Sequence, residues 1–153
     1  LNEYAPLGTE ASVTNTATVS GTGITPVTAA ETVNAEAAPN LAITKSVSPV
    51  PVTENGTLTY TFRIQNYGSV AATNTTGVVI TDTFAPVLNN LTAALNGTAW
   101  TAATDYTYDE ATGTFSSTAG AITVPAASYT QDSTTGAWVV TPGESTLVIT
   151  GTV

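Results

Sequence analysis

The sequence predicts an all-β protein, and three observations support that prediction. Apolar and polar residues alternate with a period of two along most of the chain, and no helical periodicity is sustained. Thr is the commonest residue, and together with Val and Ile it favours extended backbone. Turn signals such as Asn96-Gly97 and Pro142-Gly143 recur at short intervals. Short strands between frequent turns are typical of a β-sandwich, which is the fold class we expect.

Each predicted strand is a run of alternating residues bounded by turn residues. In chain order the predicted strands are 12–20, 31–35, 41–47, 57–66, 77–82, 105–109, 114–117, 121–124, 137–140 and 145–153. The stretch 89–129 is longer than a simple sandwich requires, and its strands are the least defined by the pattern.

The segment Ala37-Ala38-Pro39-Asn40 predicts a joint between two parts of the chain. It has no large apolar side chain, and Pro39 cannot donate a hydrogen bond to a strand ladder. We therefore expect residues 1–38 to form an N-terminal arm and residues 39–153 to form the compact domain.

Composition excludes several classes of function. The chain has two basic residues, Lys45 and Arg63, against eleven acidic ones, and its formal charge of -9 argues against nucleic acid or an anionic membrane as partner. Without Cys or His it has no disulfide, thiolate nucleophile or imidazole base. No apolar run reaches the roughly 18 residues of a membrane span. We expect no enzyme turnover, no cofactor and no metal. An acidic cluster at Asp105, Asp109 and Glu110 is better explained as a solvated turn than as a calcium site.

Several motifs are similar to one family of bacterial surface repeats. They are Asn40-Leu41-Ala42-Ile43-Thr44-Lys45-Ser46, Gly56-Thr57-Leu58-Thr59-Tyr60-Thr61-Phe62, Gln65-Asn66-Tyr67-Gly68 and Val79-Ile80-Thr81-Asp82-Thr83-Phe84. With these motifs the chain resembles the domain of unknown function 11 family. The resemblance implies an immunoglobulin-like sandwich, an extracellular location at the bacterial cell surface, and a closing strand that reads Asn-Thr-Ala-Thr-Val after the final Pro-Gly turn.

In this chain the sequence of the closing strand lies near the N-terminus and not near the C-terminus. Pro142-Gly143 and the strand 145–153 are in place, but the sequence Asn15-Thr16-Ala17-Thr18-Val19 occurs in the N-terminal arm. A sandwich without its last strand exposes an unpaired edge and part of its core. We therefore expect residues 12–20 of one copy, with Val13, Asn15, Ala17 and Val19 facing inward, to act as donor strand for another copy.

Alternation also places three polar residues on predicted core faces. Lys45 falls with Leu41 and Ile43, Asp82 with Ile80, and Asn15 with the inward residues of the donor strand. A buried Lys must find an acid, lose its proton or react. Lys45 and Asn15 can form an isopeptide bond with Asp82 as proton shuttle, and the arrangement is similar to that of collagen-adhesin domains. The alternative is a buried Lys45–Asp82 ion pair with Asn15 in a simple hydrogen bond.

Two functions follow from these expectations. The first is a structural subunit or repeat of an extracellular filament or surface stalk, whose partners are identical copies joined head to tail, as separate chains or as a tandem array. The second is an adhesive surface domain that binds carbohydrate or protein, with Trp100, Trp138 and nearby Tyr residues as candidate contacts.

Overall fold

The protein is all-β, as the alternation predicts. The computed structural model describes residues 12–34 and 37–153, apart from the side chain of Val13, and this part of the chain contains no α-helix. Its strands are β1 (Ser12–Gly21), β2 (Ile24–Asn34), β3 (Leu41–Ser48), β4 (Thr57–Asn66), β5 (Thr81–Thr83), β6 (Asn89–Leu95), β7 (Thr98–Ala99), β8 (Tyr106–Asp109), β9 (Thr114–Ser117), β10 (Ser128–Gln131), β11 (Trp138–Thr141) and β12 (Gly143–Thr152). A single 3-10 turn spans Asn74–Thr76.

Two antiparallel sheets enclose the core in a sandwich-like arrangement. The larger sheet has the strand order β3-β4-β12-β6-β7, and the smaller one has the order β5-β9-β8. The remaining strands form two separate hairpins, β1–β2 and β10–β11. In both sheets one edge strand, β3 or β5, comes from the first half of the compact domain.

The core follows directly from the period of two. Every second residue of β4 from Leu58 onward is buried, and β12 alternates in the same way from Gly143 to Gly151. Aromatic side chains fill the space between the sheets: the Phe84 ring centroid lies 4.7 Å from that of Tyr60 in β4 and 6.3 Å from that of Phe115 in β9. Phe115 is completely buried.

A buried amide fixes the end of the sandwich where β3 begins. The Asn66 side chain is inaccessible to solvent, and its Oδ1 accepts hydrogen bonds from the backbone N–H groups of Asn40 and Gly68, each at 2.9 Å. Its Nδ2 donates to the carbonyls of Val70 and Pro125 at 2.7 and 3.0 Å. Because all four bonds are satisfied, this polar side chain is compatible with burial.

The predicted and observed strands agree best where alternation involves large apolar residues. The predicted bounds of β4 and β9 match the structure. The predicted strand 121–124 is wrong, since only an isolated bridge joins Val124 to Ala72, and the predicted 77–82 strand is reduced to Thr81–Thr83. Strands β6, β7 and β10 were not predicted. β6 reads Asn-Asn-Leu-Thr-Ala-Ala-Leu, and Asn and Ala have little strand preference of their own.

Candidate assembly site

An apolar groove lies between the two edge strands of the sandwich. It has a volume of about 170 Å³ and is bounded by the first half of β3 on one side and by the segment that leads into β5 on the other. Its lining residues are all apolar: Leu41, Ala42, Ile43, Ile64, Val78, Val79 and Ile80. β3 ends the larger sheet and β5 ends the smaller one, so the groove marks the side on which neither sheet is continued.

The inward face of β3 is exposed along this groove. Ile43 retains 53% of its accessible surface, and Leu41 and Val47 are exposed as well. In β4, the neighbouring strand, Phe62 and Ile64 are each only 3% exposed. The same alternation thus produces a buried strand beside a largely exposed one, because no further strand of the described chain covers β3 on this side.

Lys45 and Asp82 connect the two edges. The Lys45 ammonium forms an ion pair with the Asp82 carboxylate, and this pair joins β3 to β5. The Lys45 Nζ also lies 4.8, 5.5 and 5.3 Å from the ring centroids of Tyr60, Phe62 and Phe84. Such distances allow favourable cation–π contact. The ion pair is the alternative that the sequence left open for these two residues.

The burial expected for Lys45 is wrong for the chain as it stands. Its side chain is 40% exposed, whereas that of Asp82 is 19% exposed. The direction of Lys45 toward the core aromatics agrees with the alternation, but no strand within the described residues covers its side chain. Lys45 is therefore a partly desolvated amine with one open side.

Asn15 lies outside the sandwich. Strand β1 pairs with β2 in an antiparallel hairpin, where Asn15 stands opposite Glu31, and both residues are exposed. The structure therefore does not bring Asn15 to Lys45 within one chain. Val13 of the predicted donor strand is opposite Val33 in the same ladder.

The β1–β2 hairpin has two chemically different faces. Residues that stand opposite each other in an antiparallel pair share a face. Ala17 and Val19 pair with Ala29 and Val27, so these residues lie on the face of Asn15 and Glu31. The other face consists mostly of Thr, and the hydroxyl oxygens of Thr14 and Thr32 lie 2.8 Å apart in a hydrogen bond. All described side chains of the hairpin are exposed, including the apolar ones.

Sequence reasoning predicted only the end of the second strand of this hairpin and did not pair it with β1. Residues 31–35 were predicted as a short strand, but β2 runs for 11 residues from Ile24. The signal was present in two places. Gly21-Thr22-Gly23 is a turn sequence, with Gly23 at a φ of 77°, and Val27, Ala29, Glu31 and Val33 continue one alternating pattern.

Asp105 and Asp109 are engaged in local turns. The carboxylate of Asp105 accepts a hydrogen bond from the Thr101 N–H at 2.7 Å, and that of Asp109 accepts one from the Ala111 N–H at 2.9 Å. The latter bond lowers the pKa of Asp109 below its ordinary value of 3.8. Within residues 12–34 and 37–153 no group of three or more metal-ligating side chains is found.

The aromatic residues considered for sugar binding are divided between core and surface. Trp100 is partly buried and stacks on Tyr106, with ring centroids 6.5 Å apart, and Tyr108 also packs against the core. Trp138 belongs to the separate β10–β11 hairpin. These side chains are thus distributed over different elements.

Comparison with known proteins adds no identification. No protein-family model matches the chain, and neither do the curated proteins or the solved structures. Among the described residues no helix is long and apolar enough to cross a membrane.

Proposed function

We propose that this chain is a structural subunit or repeat of an extracellular bacterial filament or surface stalk, in which the β1–β2 hairpin of one copy occupies the open groove of the next. One observation carries the proposal. Within residues 12–34 and 37–153 there is an uncovered apolar groove between two sheet edges that no further strand continues, and an exposed hairpin with one face of Ala and Val residues around Asn15 and Glu31.

The hairpin and the groove are complementary in hydrogen bonding. Strand β5 offers a ladder of only three residues, whereas β1 and β2 have 10 and 11 residues, so most of the hairpin would extend beyond β5. An edge strand presents unpaired N–H and C=O groups that another strand can join. Addition of the hairpin to the β5 edge would continue the smaller sheet and place its apolar face over the exposed side of β3.

The apolar surfaces are complementary as well. Val19, Val27 and Val33 on the hairpin are each about two thirds exposed, and Ile43 on β3 is about half exposed. Full burial of one such side chain contributes about 1.5 to 3 kcal/mol. Covering both surfaces at once therefore provides a substantial driving force, although the cost of associating two chains opposes part of it.

The arrangement of donor and acceptor predicts a linear product. The hairpin and the groove are different surfaces, so their contact is heterologous and leaves one free groove and one free hairpin at the two ends. Such contacts repeat indefinitely unless a rotation closes them into a ring. A filament, or a stalk of tandem repeats, is the expected assembly. The position of the closing-strand sequence Asn15-Thr16-Ala17-Thr18-Val19 in the N-terminal arm supports the same arrangement.

The test is concentration-dependent assembly of the full chain, measured by analytical ultracentrifugation and electron microscopy. Val27→Asp on the hairpin and Ile43→Asp in the groove should each abolish assembly, because each places a charge in the buried contact. Matched controls are Thr28→Asp and Thr44→Asp, whose side chains lie on the opposite faces of the same strands. All four positions are exposed in the single chain, so folding should be retained.

The outcome also separates the two functions expected from the sequence. An adhesive domain would remain monomeric at all concentrations and bind its ligand as a single unit. A monomer whose behaviour is the same for Val27→Asp and Thr28→Asp would rule out the hairpin-in-groove assembly.

A further inference from the structure

The β10–β11 hairpin is held at the end of the sandwich where β3 begins. The Ala127 N–H donates a hydrogen bond to the Gly68 carbonyl at 2.9 Å, and the Tyr129 hydroxyl donates one to the Tyr67 carbonyl. Tyr67 and Gly68 directly follow the buried Asn66, whose amide fixes this corner. The short hairpin is therefore joined to a well-defined corner of the sandwich.

The N-terminal arm leaves the sandwich at the same corner. The two backbones approach so closely there that a Cβ at Gly68 would lie 2.1 Å from the Ala38 carbonyl oxygen. Ala37 is three residues from Asn34, where β2 ends, and three residues of extended chain span at most about 11 Å. The base of the β1–β2 hairpin is thus tethered close to the β10–β11 hairpin.

One face of the β10–β11 hairpin is rich in aromatic residues and has no charge. Tyr129 stands opposite Val140 in the ladder, and Gln131 stands opposite Trp138, so these four residues share a face. Val140 is 43% exposed, and Tyr67 at the adjoining corner is 42% exposed. Among the described residues no other strand pairs with this hairpin. Together Tyr67, Tyr129, Trp138 and Val140 form what we call the corner patch.

The charge of the chain restricts where two copies can touch. Each copy has a formal charge of -9, so two copies repel each other over most of their surfaces. The corner patch has no charged side chain, and Tyr and Trp are the residue types that most often dominate the binding energy of protein interfaces. This patch is therefore better suited to contact with another copy than the acidic segment 105–110 is.

We infer that the corner patch of the copy whose arm is captured is a second contact surface for the copy that captures it. The inference rests on the proposed function, because a second copy is brought to this corner only when the β1–β2 hairpin is docked. β2 has 11 residues and β3 has 8, so a hairpin that lies along all of β3 leaves three residues uncovered, which is about 10 Å. The capturing copy thus begins within about 20 Å of the corner, from which the β10–β11 ladder extends over about 13 Å.

The short tether makes a weak second contact effective. Once the hairpin is docked, the corner patch meets the capturing copy at a high effective concentration. A contact that is too weak to hold two separate chains then adds to the affinity of the docked complex. Loss of the patch should therefore weaken the complex but leave its stoichiometry unchanged.

The test uses two variants of the full chain that can form only one contact with each other. Ile43→Asp blocks the groove and gives a chain that only donates its hairpin, whereas Val27→Asp blocks the hairpin and gives a chain that only accepts one. Their mixture should form a one-to-one complex, whose Kd is measured by isothermal titration calorimetry. Val140→Asp on the donating chain should raise this Kd by about 30-fold, the loss typical of an interface anchor. The same substitution on the accepting chain should leave the Kd unchanged.

Val139→Asp is the matched control. Val139 is next to Val140 in the same strand, is 53% exposed and points to the opposite face of the hairpin. The substitution adds the same charge outside the corner patch, so it should leave the Kd unchanged on either chain.

Tyr67→Ala on the donating chain tests the patch from a second element. It removes an exposed ring but retains the backbone carbonyl that accepts the Tyr129 hydrogen bond, so the position of the hairpin should be kept. It should raise the Kd by about tenfold or more. An effect of Val140→Asp without any effect of Tyr67→Ala would mean that only the position of the hairpin had changed, and would overturn the patch.

Failure of this inference can be distinguished from failure of the proposed function. If the donating and accepting chains do not form a complex, both fail. If they form a complex and Val140→Asp on the donating chain binds as tightly as Val139→Asp, the corner patch is excluded and the assembly stands. A larger loss when Val140→Asp is on the accepting chain would place the patch on the wrong copy and would overturn the inference as well.

Discussion

The β1–β2 hairpin and the β4–β12 pair are built from the same kind of sequence but have opposite environments. Both alternate polar residues, mainly Thr, with largely apolar ones, and both form antiparallel ladders of about ten residues. In β4 and β12 the largely apolar face is buried, whereas in the hairpin it is exposed. The comparison teaches that alternation determines which residues share a face, but that burial of the face requires another layer packed against it.

The largest expected difference concerns apolar truncation in the two regions. Phe115→Ala removes a completely buried ring that contacts Phe84 and Tyr106, and should lower the free energy of unfolding by about 3 to 5 kcal/mol. Val27→Ala on the hairpin should change it by less than about 0.5 kcal/mol in the unassembled chain. Urea unfolding followed by tyrosine and tryptophan fluorescence measures both. Similar losses for the two variants would show that the hairpin packs on the sandwich.

A second prediction concerns the buried amide of the sandwich. Asn66→Ala leaves two backbone N–H groups and two carbonyls without their partner, and should lower the free energy of unfolding by about 3 kcal/mol. Asn15→Ala in the exposed hairpin is the matched substitution and should be neutral in the single chain. Chemical denaturation at the same pH measures the free energy of unfolding of both variants.

Two glycines provide a smaller test of the same contrast. A Cβ at Gly143 would lie 2.0 Å from the Pro125 carbonyl oxygen, so Gly143→Ala must displace backbone and should cost about 2 kcal/mol. Gly23 in the hairpin turn has open space around it but a φ of 77°, so Gly23→Ala strains only the local turn. Its effect should be confined to hydrogen exchange of β1 and β2. A lowered global unfolding midpoint for Gly23→Ala would contradict this.

The smallest expected effect is the loss of stability at low pH that comes from the turn at Asp109. The backbone N–H of Ala111 and the hydroxyl of Thr112 hold the pKa of Asp109 below its ordinary value. Its folded pKa is thus lower than its unfolded pKa, so its stabilising effect is complete above pH 3.8 and disappears as the pH falls through the lowered pKa. The thermal unfolding midpoint should therefore fall less between about pH 4 and pH 2 in Asp109→Asn than in the parent chain. An unchanged pH profile would exclude a stabilising role for this turn.

The directions of the site's side chains could be predicted from the sequence, but their solvent exposure could not. Alternation correctly directed Lys45 toward the core aromatics and grouped Asn15 with Ala17 and Val19, because side-chain direction in a strand depends only on the count. It could not predict that Lys45 remains 40% exposed, since exposure depends on whether another strand is present. It also could not predict that Glu31 stands opposite Asn15, because that pairing depends on the ladder register.

Some strands of the fold could be predicted from residue type, and others could not. Large β-branched and aromatic residues mark β4, β9 and β12 clearly, whereas the Ala- and Asn-rich β6 is a strand because it pairs with β12. Its two small residues Ala93 and Ala94 carry little intrinsic preference, so tertiary pairing decides their conformation. The same reasoning explains the wrong strand at 121–124, where a single bridge to Ala72 replaces a ladder.

The threonine-rich face of the hairpin bears on the entropy cost of the proposed docking. A two-stranded ribbon without a core is usually only marginally stable in water, and an unfolded one would have to become extended when it docks. Branched side chains such as Thr16 and Thr18 favour extended backbone, and the hydrogen bond between the Thr14 and Thr32 hydroxyls joins the two strands. In the proposed assembly the ribbon would already be extended before docking, so less ordering entropy would be lost than for an unpaired strand.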